Sequence, residues 1–306
     1  MMKTSQRIVQ GLFGATSAVS PGLAARIALP LFMRVGRRMP VDPADAATML
    51  RARTWEALIP GTRGRGARVG VYEWGTGADV VLLVHGWQGR ASQFAPLVRE
   101  LLAERFRVVA VDMPAHGDAP GRATTIVDWI SAIRAVQARH GALHGIVGHS
   151  LGGLAVLVAV AEGVQVRRVV TASAPADAAA VFDVFAAGAG LDDAADVSMR
   201  ALFARRYFDE DDPIGRVSAV AHPLGDAVHA LIAHDRRDRV IPHAEADRLR
   251  AALPQAATLD TDGAWHARLV RSDAFLDAAV AHLTLPDHAL APAHFEARAG
   301  GQGVSL

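Results

Sequence analysis

In the main part of the chain, short apolar runs alternate with segments whose apolar residues recur at helical spacing. The runs Val80–Val84 and 108–111 are unbroken, which is typical of strands buried on both faces of a sheet. Between them, Phe94, Leu97 and Leu101 follow at intervals of three and four residues, which predicts an amphipathic helix. Because strands and helices alternate along the chain, we predict an α/β fold with a mostly parallel central sheet and helices on both faces.

One long interval breaks this rhythm and divides the chain into predicted parts. Roughly 50 residues, from 176 to about 225, separate two predicted strands, which is far more than the usual connection length. Short helical patterns in this interval favour a cap inserted over the carboxyl edge of the sheet. We therefore predict a domain over 67–284 that carries the insertion. A helical extension over 1–66 precedes it, and a loose tail over 285–306 follows.

The composition indicates a globular protein without a strongly charged surface. Apolar residues make up 51% of the 306 residues, and the formal net charge is +1. No basic field favours a nucleic-acid partner, so we expect none. The chain has no cysteine, which excludes disulfides, thiolate catalysis and cysteine metal sites.

The first 40 residues allow three interpretations. Lys3 and Arg7 precede a mildly apolar run, as in a secretory signal peptide, but glycines, serines and Pro21 interrupt that run. No stretch of about 20 apolar residues is available to span a membrane. We favour amphipathic helices packed on the domain and a cytoplasmic location. A helix that associates with a membrane surface and a poor signal peptide remain the alternatives.

The stretch Gly148-His149-Ser150-Leu151-Gly152 follows a predicted strand and precedes a predicted helix. Its glycine spacing does not fit a dinucleotide fingerprint, and this stretch contains no lysine, which a phosphate-binding loop requires. It does fit Gly-x-Ser-x-Gly, the nucleophile elbow, in which a strained turn exposes the serine hydroxyl. We therefore predict that Ser150 is a catalytic nucleophile.

A serine hydroxyl needs a base to take its proton, and the base needs an acid to orient it. His266 follows the last predicted strand of the sheet and is the candidate base, whereas His116 lies in a turn and is interpreted as structural. Asp238 is preferred as the acid, with Asp235 as the alternative. The chain order Ser150, Asp238, His266 is that of the α/β-hydrolases.

Two backbone N–H groups are expected to stabilise the oxyanion of the intermediate. One is that of Leu151, the residue after the nucleophile. The other comes from the loop His85-Gly86-Trp87-Gln88-Gly89, in which Trp87 is preferred over Gln88.

Taken together, these segments resemble the α/β-hydrolase superfamily over about residues 67 to 284. The resemblance is carried by "HGWQG", "DMPAHGDAPG", "GHSLGG", "HDRRDRVIP" and "DGAWH", in that order. It implies a sheet of about eight strands with one antiparallel strand, a cap after the sixth strand, and no cofactor or metal. The chain departs from its relatives at Trp265, where they often have glycine, and it lacks the His-Gly-Gly-Gly motif of some esterases.

The resemblance implies acyl transfer, and we expect hydrolysis of a small-molecule carboxylic ester through an acyl-enzyme. A thioesterase, an acyltransferase or a carbon–carbon bond hydrolase on the same triad is the alternative, and a binding protein that only keeps the fold is a third possibility. The expected substrate carries an apolar acyl chain. Its candidate binding residues are His85, Trp87, His149, Phe182, Phe185 and Phe203. For the two histidines the competing role is to hold loops, and for the three phenylalanines it is to pack the cap.

Overall fold

The computed structural model describes residues 4–208, 212–286 and 294–296, and nine strands of this described part form one sheet. The strands are β1 (Arg53–Ile59), β2 (Ala67–Trp74), β3 (Val80–Val84), β4 (Arg107–Asp112), β5 (Leu143–His149), β6 (Val166–Ala172), β7 (His229–Asp235), β8 (Ala257–Thr261) and β9 (His294–Glu296). The helices are α1 (Thr4–Val19), α2 (Pro21–Met33), α3 (Ala46–Leu50), α4 (Ala95–Ala103), α5 (Ile126–His140), α6 (Leu151–Ala161), α7 (Ala178–Ala189), α8 (Asp193–Tyr207), α9 (Pro213–Arg216), α10 (Ala244–Ala252), α11 (Trp265–Arg268) and α12 (Asp273–Thr284).

The strand order is β1-β2-β4-β3-β5-β6-β7-β8-β9. Only β2 runs antiparallel to its neighbours, β1 and β4, and the other six pairings are parallel. The predicted α/β class with a mostly parallel sheet is confirmed. The short strand β9 exceeds the expected number of about eight and lies within the predicted tail. Residues 287–293 and 297–306 of that tail lie outside the described residues.

Helices cover both faces of the sheet, as the unbroken apolar strands require. Every residue of β3 is buried. Val81 and Leu83 belong to a cluster with side chains of α4 and α12, among them Leu97 and Phe275. Successive residues of a strand point to opposite faces, so Leu82 and its alternate neighbours face the side on which α5 and α6 pack. The carboxyl ends of the parallel strands therefore form one open edge, where the loops predicted to carry chemistry begin.

The chain divides into two compact units that differ from the predicted parts. One unit consists of Met1–Arg34 and Asp177–Ser218, and the other of Val35–Ala176 and Ala219–Leu306. The predicted extension over 1–66 is thus split, because α1 and α2 join the inserted helices whereas α3 and β1 join the sheet. The predicted insertion over 176–225 begins within a residue of the observed one.

The first of these units, Met1–Arg34 with Asp177–Ser218, is called the helical unit. It has its own apolar core, which explains why the chain divides in this way. Ala25, Ala28 and Leu29 of α2 are buried together with Phe182 and Phe203 of the insertion. The ring of Phe32 stacks on that of Phe182 at 4.6 Å between centroids. Since neither segment has enough apolar surface to form a core alone, each supplies half of a shared one. In the described residues no helix has the length and hydrophobicity needed to cross a membrane.

Candidate active site

The predicted nucleophile Ser150 lies on the turn between β5 and α6. Its φ of 54° and ψ of −126° fall in a region that non-glycine residues rarely adopt, so backbone strain is stored at this position. The Ser150 N–H donates to the carbonyl of Ala172 at 2.8 Å, which ties the turn to the end of β6. Ser150 is the N-cap of α6 and directly precedes the free N–H groups of that helix. This is the strand–turn–helix context that the motif predicts.

Glycines at this turn allow a close approach that any larger residue would prevent. A Cβ on Gly152 would collide with backbone carbonyl oxygens at the end of β3. A Cβ on Gly86 would lie 2.8 Å from His149 Nδ1 and 2.9 Å from Ser150 Cβ. The loop after β3 is therefore packed directly against the serine turn.

His266 and Asp238 complete a continuous hydrogen-bonded chain with Ser150. The Ser150 hydroxyl lies 3.0 Å from His266 Nε2, and His266 Nδ1 lies 2.7 Å from Asp238 Oδ2. An ionised carboxylate can only accept, so Nδ1 carries the proton and Nε2 is free to accept from the serine. His266 lies in α11, just after β8, and Asp238 lies in the loop after β7. Three residues that are spread over 116 positions of the chain thus meet at one edge of the sheet.

Asp238 is fixed on both of its oxygens. Besides His266, it accepts from the N–H groups of Val240 and Ile241 at 2.8 and 3.0 Å. Burial by itself raises the pKa of the Asp238 carboxyl. The hydrogen bond and charge of His266, together with the two N–H groups, outweigh burial and lower that pKa to about 2. Asp238 is therefore an anion at any pH at which His266 acts as a base.

Asp235, the alternative acid, is occupied elsewhere. Its carboxylate accepts from the Thr261 hydroxyl at 2.7 Å, the Ala264 N–H at 2.7 Å and the Arg237 N–H at 2.9 Å. Burial raises the pKa of Asp235, but these hydrogen bonds prevail and lower it. Asp235 thus joins the end of β7 to β8 and to the start of the loop that carries His266.

His149 contacts the backbone of His266. A carbonyl oxygen only accepts, so His149 Nε2 donates to the His266 carbonyl at 3.0 Å. Its Nδ1 must then accept, and the amide of Gln93 supplies the donor at 3.2 Å. Burial lowers the pKa of His149 to about 3, which keeps the ring neutral and this tautomer in place. The rings of His149 and His266 lie 4.8 Å apart between centroids.

His85, also predicted to bind substrate, has no exposed surface. Its Nδ1 donates to the Gly86 carbonyl at 2.7 Å, and its Nε2 accepts from the Met113 N–H at 3.0 Å. Burial lowers the pKa of His85 to about 4. The neighbouring His116 is equally buried, with Nδ1 3.0 Å from the carbonyl of Pro114. Both rings hold the loops after β3 and β4, which is the competing role considered for them.

The loop after β3 carries the predicted second oxyanion donor. The Gly89 N–H donates to the Gly86 carbonyl at 2.9 Å and closes a tight turn, in which Gln88 adopts a φ of 59°. This bond leaves the Trp87 N–H unused by the turn. Leu151 is the first residue of α6, so its N–H has no acceptor inside the helix. The half-buried Trp87 ring stacks with that of Trp129 at 6.4 Å.

The three phenylalanines predicted to line the substrate site lie in the helical unit. Phe182 and Phe203 are buried in its core, and Phe185 is partly buried against the same cluster. Phe182 and Phe203 pack edge to face at 5.3 Å between centroids. These contacts correspond to the competing packing role, and they account for the apolar pattern without a ligand.

Two further residues support the loop that carries His266, called the histidine loop, and the sequence contains no signal for the first of them. Gln93 donates to His149 Nδ1 from a position 56 residues away. Trp265, where the sequence departs from the pattern of the family it resembles, has a backbone φ of 60°. The guanidinium of Arg239 lies over its ring at 4.6 Å.

Comparison with known proteins agrees with this fold. A family model described as "alpha/beta hydrolase fold" matches residues 79–192, which include Ser150. A pimeloyl-[acyl-carrier protein] methyl ester esterase of Chromobacterium violaceum is 44% identical over 84 residues, 26% of this chain and 30% of that protein. The matched segment thus spans about a third of the curated relatives' length.

Solved structures match over a larger part of the chain. An esterase from Exiguobacterium antarcticum has a TM-score of 0.54 at 18% identity and covers 76% of this chain and 100% of its own. A bromoperoxidase from Bacillus anthracis has a TM-score of 0.55 at 17% identity, with the same coverage. At such identities the likeness concerns the fold.

Proposed function

Because the chain belongs to the α/β-hydrolase superfamily, we propose that it is a serine hydrolase that cleaves a carboxylic ester through an acyl-enzyme. The observation that carries this proposal is the unbroken chain of hydrogen bonds from Ser150 through His266 to Asp238. A serine, a neutral imidazole and a buried carboxylate in this order have no evident structural purpose. They are the groups that nucleophilic acyl transfer requires.

In the first half of the reaction, the Ser150 oxygen attacks the ester carbonyl while its proton passes to His266 Nε2. The N–H groups of Leu151 and Trp87 are the donors to the resulting oxyanion. Asp238, already ionised, stabilises the imidazolium without taking its proton. The C–O bond of the ester then breaks, and the imidazolium protonates the departing alkoxide, so that an alcohol leaves and the acyl group stays on Ser150.

In the second half, water replaces the alcohol. His266 removes a proton from the water, whose oxygen attacks the acyl carbon, and the same N–H groups hold the second oxyanion. Collapse of the intermediate breaks the bond to Ser150, and the imidazolium returns its proton to the serine oxygen. The products are a carboxylic acid and an enzyme in its initial state.

The substrate class that we propose is a small ester with an apolar acyl chain. The name of the relative from Chromobacterium violaceum, a methyl ester esterase, supports an ester in preference to an amide. Phe182, Phe185 and Phe203 add no support, because their apolar surface is used within the helical unit. A series of p-nitrophenyl esters of increasing chain length tests the acyl preference, and highest activity on charged or sugar esters would contradict it.

The mechanism is tested with a fluorophosphonate probe and mass spectrometry of the labelled peptide. We expect labelling of Ser150 in the wild type and none in Ser150→Ala, with a loss of turnover of about 2 × 10⁶. Ser131→Ala, a helix serine that bonds only to the carbonyl of Val127, is the control and keeps full labelling. A folded wild type that labels nowhere, or a Ser150→Ala variant that retains ester turnover, would refute the proposal.

The same preparations separate ester hydrolysis from the alternatives. Acyl-coenzyme A thioesters test for a thioesterase, and added alcohol acceptors test for an acyltransferase, because both would share the labelled Ser150. Faster turnover of thioesters than of matched oxygen esters would replace the esterase proposal while leaving the nucleophile in place.

A further inference from the structure

Exposed apolar side chains are concentrated in the two N-terminal helices and the residues that follow them. In the part of the chain that the structure describes, eleven large apolar side chains are exposed, and six of them lie between residues 12 and 39. They are Leu12, Val19, Leu23, Ile27, Leu31 and Met39. About a tenth of the chain therefore holds more than half of these side chains.

Three of them form a continuous stripe on α2. Leu23, Ile27 and Leu31 follow at intervals of four residues, so they lie on one side of the helix, and they are 50%, 46% and 44% exposed. The other side of α2 is buried in the core of the helical unit through Ala25 and Leu29. The helix is thus apolar on both sides, but only one side is covered by the core. We call the exposed side, formed by Leu23, Ile27 and Leu31, the α2 stripe.

The charge of this segment is as unusual as its hydrophobicity. Residues 1–40 contain six basic side chains and no acidic one, in a chain whose net charge is only +1. Arg26 and Arg34 are exposed, and each follows a residue of the α2 stripe by three positions. The acidic residues of the helical unit all belong to its second segment, against which α2 packs its buried side.

We propose that the α2 stripe and its arginines dock on an anionic lipid surface. Leu23, Ile27 and Leu31 would insert among the headgroups, while Arg26 and Arg34 contact lipid phosphates. No described helix is suited to cross a bilayer, so the contact is one of lying on the surface. A second copy of the chain is disfavoured as the occupant, because two segments that each lack acidic residues would repel one another.

Vesicle flotation with the purified full chain tests this contact directly. We expect binding to phosphatidylcholine vesicles that contain phosphatidylglycerol, little binding to pure phosphatidylcholine, and release at high salt. Replacing Leu23, Ile27 and Leu31 together by serine is expected to lower the partition coefficient more than tenfold. These side chains are exposed, so the fold should persist. Replacing Arg26 and Arg34 by glutamine should reduce binding to vesicles that contain phosphatidylglycerol and leave the weak binding to pure phosphatidylcholine unchanged.

The absence of cysteine allows a site-specific probe as a second measurement. An environment-sensitive fluorophore on Ile27→Cys should shift to the blue with anionic vesicles. The same label on Val197→Cys, which lies in the same unit and is 65% exposed, should not respond. Equal responses at both positions, or equal flotation of the wild type and the serine variant, would overturn the proposal. So would a dimer that the serine variant loses in sedimentation without any lipid binding.

Discussion

The serine turn and the histidine loop meet at one edge of the sheet, but they are held in different ways. Both contain a non-glycine residue in a left-handed conformation, Ser150 at a φ of 54° and Trp265 at 60°. Around Ser150, glycines let backbone segments approach until no space is left. Around Trp265, the loop is held by separate polar contacts from distant residues, namely Asp235 to the Ala264 N–H and His149 to the His266 carbonyl.

This difference predicts how each loop responds to substitution. In the closely packed serine turn, an added carbon atom must displace the backbone, so a substitution there disrupts the turn as a whole. A set of separate hydrogen bonds can instead lose one member and shift by a fraction of an ångström. We therefore expect abrupt losses of kcat for substitutions at the serine turn. At the histidine loop we expect graded losses that a second type of side chain can restore. Asp238 is an exception, because its charge acts on His266 directly.

The largest effect is expected for Asp238→Asn. An amide at this position would favour the wrong tautomer of His266, and kcat should fall by about 10⁴. Asp235→Asn is the matched control. It weakens the support of the loop at Ala264 but leaves the His266 tautomer unchanged, so a far smaller loss and a lower melting temperature are expected. Steady-state kinetics and thermal unfolding of both variants decide between them, and a greater loss of kcat in Asp235→Asn would reverse the assignment.

Gly152→Ala should have the next largest effect and tests the packed turn. Its Cβ would meet backbone carbonyl oxygens at the end of β3, so the nucleophile must move, and a displacement of this kind typically costs about a hundredfold in kcat. Gly188→Ala in α7 is the control, since nothing lies within 4 Å of the added carbon and alanine favours a helix. Near-normal kcat in a folded Gly152→Ala would show that the turn is not closely packed.

Gln93→Leu tests the graded behaviour of the histidine loop. The buried Nδ1 of His149 loses its donor, and a ring held by one hydrogen bond in place of two positions the His266 carbonyl less firmly. We expect kcat to fall about tenfold, a barrier increase of about 1.4 kcal/mol, with KM almost unchanged. Gln137→Leu, at a surface helix position, is the control. A rise in KM alone would mean that Gln93 affects substrate binding and not the position of the base.

Gln93→Glu sharpens the same test through its pH profile. The wild-type pKa of His149 is lowered to about 3, so the ring does not titrate in an ordinary assay. A glutamate at position 93 would stabilise protonated His149 and raise that pKa. Protonated His149 donates from both ring nitrogens, to the glutamate and to the His266 carbonyl, so kcat should exceed that of Gln93→Leu. The acid limb of the kcat profile should gain a second titration, and an unchanged profile would argue against this role of Gln93.

The smallest effect is expected for Trp265→Gly. Glycine relieves the left-handed strain, and the variant loses the contact with Arg239, so two contributions of about 1 kcal/mol oppose each other. The melting temperature and kcat should change little. A loss of kcat above tenfold would show that the indole itself shapes the site, which would bring the histidine loop closer to the packed behaviour of the serine turn.

The two loops also differ in how far the sequence predicted them. The serine turn depends on residues within five positions of one another, so the motif was readable, and the chain order led to Asp238 and His266. The contact of Gln93 with His149 joins positions 56 apart, and no periodicity signals it. For the same reason no sequence pattern signals the pairing of α2 with the insertion, and Phe182, a predicted substrate contact, stacks on Phe32.

The split helical unit also determines the order of events on the ribosome. α1 and α2 leave the exit tunnel before the residues that cover their buried side, which begin about 140 positions later. At typical rates of synthesis, this delay lasts roughly 7 to 30 seconds, during which Leu29 and Phe32 have no partner. The nascent chain therefore exposes two apolar sides of α2, and only one of them is covered when translation ends. Chaperones that scan emerging chains would encounter this helix before any strand of the sheet exists.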